Sequence, residues 1–220
     1  MKKNHIKGVF FDLDGVILDT PQYHFIAWKN VLSSLGGTIT EQMVFLNEGR
    51  KAEEILAQLL RETRIEIPVE KIDGLVKTKR DYFFQICDVQ WYPSALNVVR
   101  KLKDWNIKLA IVSGCSRGTL EKMLSKKHRQ LFDVIQTGED VTRSKPYPDP
   151  YDIARHKLKL RKEECLAVEN APLGIESAKR GGMTCVAVET TLGREYLQAA
   201  DYVIPSIHFL LGLPIFNNTT

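Results

Sequence analysis

The stretch over residues 6–19, IKGVFFDLDGVILD, constrains this chain more than any other. Val9, Phe10 and Phe11 close a short apolar run, Asp12 follows at once, Asp14 comes two residues later, and Gly15 lets the chain turn away. Apolar runs of this length bounded by glycine read as buried strands of a parallel sheet. Such sheets bind ligands beyond the carboxyl ends of their strands. Two carboxylates at that edge repel each other and need a compensating charge. A divalent cation held by oxygen ligands supplies one, and Mg2+ is the usual choice beside phosphate. Asp12 is then placed to attack an electrophile, and Asp14 to exchange a proton with the departing group. A plain strand followed by an acidic turn fits the same residues.

The rest of the chain sorts into two patterns. From 21 to 86 the apolar spacing is helical, with Phe25, Trp28, Val31, Leu32 and Leu35 on one face of a first helix. Pro21 suits its first turn and Gly36-Gly37 its end. Further helices are expected over 53–62 and 69–86, and no strand competes with them. Beyond residue 90 strands and helices alternate. Helices are expected over 94–105 with Ser94 as N-cap, then 119–127, 150–158 and 173–180. Strands are expected over 107–112, 132–136, 165–168, 185–188 and 202–204. Alternation of this kind implies an α/β fold, a Rossmann-like parallel-sheet core with helices on both faces. The expected organisation is a core over 1–16 and 90–220 with an α-helical cap over 17–89, inserted above the sheet edge that carries Asp12. A lid is the natural use of such an insertion.

Three further strand ends carry polar residues. LAIVSGCSRG puts Ser113 at a strand terminus, with the backbone amides of Gly114 and Cys115 beyond it. A hydroxyl and amides opening a helix suit an anionic oxygen, although a simple Ser-Gly turn has the same sequence. In TRSKPYPDPY, Lys145 sits in a loop stiffened by Pro146, Pro148 and Pro150. It is either a solvent lysine or a charge that neutralises a carboxylate and a phosphoryl oxygen. CLAVEN ends in Glu169 and Asn170, two oxygen-bearing side chains suited to a hard cation, directly or through water.

In this order the motifs resemble those of the haloacid dehalogenase superfamily, in its branch with a helical cap, and the match spans nearly the whole chain. FDLDGV resembles the first motif, Ser113 the second, Lys145 in SKPYPDPY the third and VENAPLGIESAKRGGM the fourth. The resemblance implies Mg2+-dependent phosphoryl transfer through an aspartyl phosphate on Asp12. It further implies that Asp14 is the acid/base and a metal ligand through its backbone carbonyl, that Ser113 and Lys145 hold the phosphoryl group, and that Asn170 completes the metal shell. The second aspartate argues for phosphate-ester chemistry, since dehalogenases and phosphonoacetaldehyde hydrolases of the superfamily usually lack it. One departure stands out: the fourth motif usually reads Glu-Asp, and here reads Glu169-Asn170. Asn keeps a carbonyl oxygen but loses a charge, which lowers metal affinity, with Glu169 retaining part of the acidic character through water.

The cap residues resemble the β-phosphoglucomutase-like branch. DTPQYHFIAWK places His24 where it orients the acid/base aspartate, and Arg50 and Lys79 fall where distal-phosphate ligands are expected. SGCSRG and VENAP look more like phosphatases. The expected function is therefore hydrolysis of a small phosphorylated metabolite, typified by a sugar phosphate, with β-phosphoglucomutase activity as the alternative. A non-catalytic binding or regulatory protein on the same scaffold should have lost the nucleophile or the lysine, and neither is lost.

Composition narrows the partners. A net charge of +4 is too small to argue for nucleic acid, and the run Lys126-Lys127-His128-Arg129 reads as a solvated helix end complementing the dipole. The MKKNH start precedes an apolar run broken by Asp12 and Asp14, which is neither a signal peptide nor a membrane span. Cys87, Cys115, Cys165 and Cys185 form no CxxC pair and read as reduced thiols. A cytoplasmic monomer without nucleic-acid or membrane partners is expected.

Overall fold

The computed structural model describes residues 6–216, so the basic MKKNH start lies outside the described residues. Strand β1 (Gly8–Phe11) is followed by a helical block, α1 (Pro21–Ser34), α2 (Glu41–Phe45), α3 (Ala52–Thr63) and α4 (Ile72–Ile86). Alternation then begins with α5 (Ala95–Asp104), β2 (Lys108–Val112), α6 (Arg117–Met123), α7 (Lys126–Arg129) and β3 (Val134–Gln136). It continues through α8 (Asp149–Leu158), β4 (Cys165–Glu169), α9 (Pro172–Arg180), β5 (Thr184–Val188) and β6 (Tyr202–Ile204). The strands form one sheet in the order β3-β2-β1-β4-β5-β6, and every neighbouring pair is parallel. This is the expected α/β core with an inserted helical cap.

The two sheet faces differ in side-chain size because successive strand residues point opposite ways. Val9, Phe11, Leu109, Ile111, Leu166, Val168, Val186 and Val188 share one face and pack with Val98, Val99 and Leu102 of α5. Ala110, Ala167 and Ala187 share the other with Phe10, Val112, Cys165 and Cys185. Small residues there let α8 and α9 approach closely, through Tyr151, Ala154, Ile175 and Ala178. The cap has an apolar cluster of its own, built on Trp28, Val31, Leu32, Leu56, Leu59 and Val76.

Register explains why the sheet edge is polar in one place. Phe11 pairs with Ile111 of β2 and with Val168 of β4. Asp12, Ser113, Glu169 and Asn170 therefore emerge side by side at the carboxyl ends of the three central strands.

Local expectations fail where tertiary contacts overrule them. Ser94 precedes α5 but has φ 70° and makes no side-chain cap bond. The helix expected over 119–127 is two helices, because Leu124 is extended and buried, and Ser125 caps a separate turn by accepting from the His128 amide. Arg129 on that turn donates to the carbonyls of Glu121 and Leu124 at 3.1 Å, closing the end of α6. All four cysteines are free, with Cys165 and Cys185 buried. Among the described residues no helix is long and apolar enough to cross a membrane.

Ala167→Leu overpacks the small-residue face and is expected to cost ~1–3 kcal/mol, read as a lower denaturant midpoint at unchanged slope. An unchanged midpoint contradicts the close approach of α8 and α9 at this face.

Candidate active site

Lys145 holds the polar edge together. It is 1% exposed, and its ammonium donates to Asp12 Oδ1 at 2.6 Å, to Glu169 Oε1 at 2.6 Å and to the Val112 carbonyl at 3.0 Å. A lysine has three protons to donate, and all three are used. Tyr151 of α8 donates its hydroxyl to the same Glu169 oxygen. Asp12 and Glu169 raise the Lys145 pKa above its ordinary value against the opposing effect of burial. Burial pushes the Asp12 carboxyl up to about 8; Lys145 pulls it down, while Glu169 and Asp14 add to the rise. Acidic side chains thus outnumber the one ammonium at this edge, where Lys145 meets both Asp12 and Glu169.

Asp14 is held by the cap. Thr20 donates its hydroxyl to Asp14 Oδ1, and His24 Nε2 lies 3.1 Å from the same oxygen. Lys79 Nζ lies 2.6 Å from His24 Nδ1. An ammonium only donates, so Nδ1 accepts, and Nε2 carries the proton given to Asp14. His24 stacks on Phe83 with ring centroids 4.3 Å apart. Burial and the Lys79 charge hold its pKa below the usual range, which keeps the ring neutral. Burial opposes ionisation of Asp14, but His24, Thr20 and Lys79 outweigh it and hold that carboxyl below its ordinary value. Lys79, read from sequence as a distal-phosphate ligand, is brought against His24; burial lowers its pKa to about 8.

The remaining expected residues surround the same space. Ser113 is buried, and its hydroxyl accepts from the Cys115 amide at 3.2 Å. Gly114 lies so close to the Arg50 carbonyl that a Cβ would come within 2.5 Å of it. Burial raises the Cys115 thiol to about 12, so it stays protonated. Arg50 lines the cavity with its buried Nε unpartnered. Asn170 packs over Gly15, whose φ of +82° and lack of a Cβ leave room for the amide. The cavity between cap and sheet edge measures about 310 Å³ and is lined by Asp12, Asp14, His24, Arg50, Lys79 and Ser113. It lies at the small end of the ~300–1,000 Å³ of metabolite pockets.

A residue unforeseen in the sequence joins them. Glu48, in the loop after α2, accepts from Asn170 Nδ2 at 2.7 Å, and burial with the Asp12 and Asp14 charges raises its carboxyl well above the ordinary range. Glu48 Oε1 and Asn170 Oδ1 are buried without hydrogen-bond partners. Among the described residues no three His, Cys, Asp or Glu side chains converge as a metal cluster. The edge nevertheless suits a hard cation through a mixed oxygen set, since it offers surplus carboxylate and an amide oxygen left unsatisfied.

The model of the haloacid dehalogenase-like hydrolase family matches residues 9–188. The chain is 31% identical to pyrophosphatase PpaX of Bacillus mycoides, over 94% of this chain and 96% of that one. It is 30% identical to β-phosphoglucomutase of Bacillus subtilis, over 92% and 94%. In fold it is similar to the β-phosphoglucomutase structure from Clostridium difficile, with a TM-score of 0.81 at 24% identity, over 96% and 97% of the two chains.

The Asp12 carboxyl allows a direct test by linkage. Its folded pKa of about 8 lies above the ordinary value of 3.8, so folding takes up a proton between those values. That contribution is complete below pH 4 and is lost as pH rises towards 8. In protein freed of divalent cations, Asp12→Asn is expected to flatten the fall in stability over this window, by up to ~1.4 kcal/mol per pH unit. Parallel stability profiles for the two proteins contradict the raised carboxyl.

Proposed function

Because the chain belongs to the haloacid dehalogenase-like hydrolase family, we propose that it is a Mg2+-dependent phosphatase of a small phosphorylated metabolite, with a sugar phosphate as the substrate class. Within the family it is an enzyme of the phosphatase or phosphomutase type. The observation that carries the reading is the buried Asp12–Lys145–Glu169 arrangement, opening onto a cavity closed by a helical cap. We place this activity in a cytoplasmic monomer, with the cap over 17–89 and the core over 1–16 and 90–220.

Asp12 is the nucleophile. Its oxygen forms a bond to phosphorus as the bond from phosphorus to the ester oxygen breaks, and Asp14 gives the departing oxygen a proton. The low pKa of Asp14 suits the second half of the cycle, in which it takes the proton of a water attacking phospho-Asp12. A phosphoryl dianion beside Asp14 opposes its ionisation and favours the acid form needed first. Lys145 and Ser113 hold the phosphoryl oxygens in line. The Asp12 carboxylate, the Asp14 backbone carbonyl, Asn170 and, through water, Glu169 would hold a Mg2+ ion, which would supply charge neutralisation for the transferring group. His24 keeps Asp14 in place, and Lys79 keeps His24 in the required tautomer. Arg50, which lines the cavity and whose buried Nε has no partner, suits the distal end of the substrate; Gly114 and Cys115 line the same space.

The β-phosphoglucomutase reading is favoured by one feature, the cap cluster of His24, Lys79 and Arg50 around the cavity. A sugar hydroxyl then takes the phosphoryl group in place of water, a choice governed by how fully the cap excludes solvent.

The test is a product analysis with Mg2+, β-glucose 1-phosphate and a trace of the 1,6-bisphosphate, followed by a panel of phosphate esters. Free phosphate with little isomerisation is expected, and Asp12→Asn is expected to lower its release at least ~10³-fold. Glucose 6-phosphate without net phosphate release would establish the mutase. Full activity of Asp12→Asn would overturn the nucleophile.

A further inference from the structure

The sheet edge carries a neutral Asn170 where a second carboxylate would strengthen a cation site. Against it lies Glu48, the carboxylate from the cap. Glu48 Oε2 accepts from Asn170 Nδ2 at 2.7 Å, while Glu48 Oε1 and Asn170 Oδ1 are buried with no partner. Asn170 itself is 1% exposed. Unpaired buried oxygens on two touching side chains are costly unless a further group satisfies them. Lys145 is not that group, since its three protons go to Asp12, Glu169 and Val112.

The position of Glu48 is built. Gly49 follows with φ +91°, and a Cβ there would fall 2.7 Å from Lys145 Cδ, so the turn rests directly on the lysine stem. Lys51 donates to the Val141 carbonyl at 2.6 Å, and Glu54 accepts from the Ser144 hydroxyl. Core contacts at and just after the turn thus pin it to the edge. The amide at 170 is also what permits the approach: an aspartate there would set two carboxylates at hydrogen-bond distance, each opposing ionisation of the other.

We propose that Glu48 is a cation ligand that replaces the carboxylate missing at position 170, so that the metal site is shared between cap and core and is complete only when the cap is closed. The inference rests on the Mg2+-dependent reading above. Cation binding and cap closure then favour each other, because the cation binds the closed form better than the open one. Position 48 and position 170 share one negative charge between them, and either can carry it.

The test is calorimetric titration of Mg2+ into the full chain freed of divalent ions, with folding checked by circular dichroism. Glu48→Gln is expected to weaken binding ~10-fold or more. The double variant Glu48→Gln with Asn170→Asp is expected to return to within about threefold of the native affinity, since the charge is moved and not lost. Native affinity in Glu48→Gln would overturn the inference while leaving the Mg2+ reading intact. No Mg2+ binding by the native chain would overturn both. The double variant carries the test even if Glu48→Gln alone fails to fold: binding ~10-fold weaker than native would show that the charge cannot be moved, and would sink the shared site.

Discussion

The structure depends on charge compensation around one buried ammonium. Parallel register brings the ends of β1, β2 and β4 level, which delivers Asp12 and Glu169 to the same few ångströms of space. Burying two carboxylates there is prohibitive unless a cation lies between them, and Lys145 does so with every proton engaged. The proline-rich loop that carries Lys145 and the Tyr151 hydroxyl that braces Glu169 both serve this arrangement. The compensation is incomplete: Asp14 and Glu48 add carboxyl groups that Lys145 does not reach, and burial opposes ionisation of Glu48. An edge with more acidic groups than ammonium favours a cation, and cation and lysine together can receive a phosphoryl group.

The cap is the second determinant. It folds around its own apolar cluster and supplies the site with groups the core lacks. His24 reaches Asp14 from α1, and Lys79 reaches His24 from α4. Glu48 and Arg50 come from one turn between α2 and α3. A water-filled cavity would weaken each of these interactions, whereas closure strengthens them by lowering the local dielectric. Hydrolysis and transfer to a sugar share the groups that act on phosphorus, and differ in what the closed cap admits.

Much of this was legible in the sequence for a physical reason. Asp12, Ser113, Lys145 and Glu169 lie at the ends of apolar runs or in a proline-stiffened loop, and a parallel sheet must bring such ends to one edge. The pairing of Glu48 with Asn170 had no local signal, because the two residues are 122 positions apart and meet only through cap closure. Tyr151 lay within a recognised motif, yet its hydroxyl acquires a role only from the packing of α8 against β4. Helix α2 spans five residues, too few for periodicity to register. Ser94 and the break at Leu124 show the opposite failure: local preference pointed one way, and burial of neighbouring side chains decided otherwise.

The most direct measurement of the central claim is capture of the covalent intermediate. Enzyme quenched during turnover is reduced with borohydride, which converts an aspartyl phosphate to homoserine, and its peptides are mapped by mass spectrometry. Homoserine at position 12, absent without substrate, is the expected result. Turnover that yields no homoserine, or homoserine at another aspartate, would contradict Asp12 as the group that the buried lysine and the sheet edge are arranged to serve.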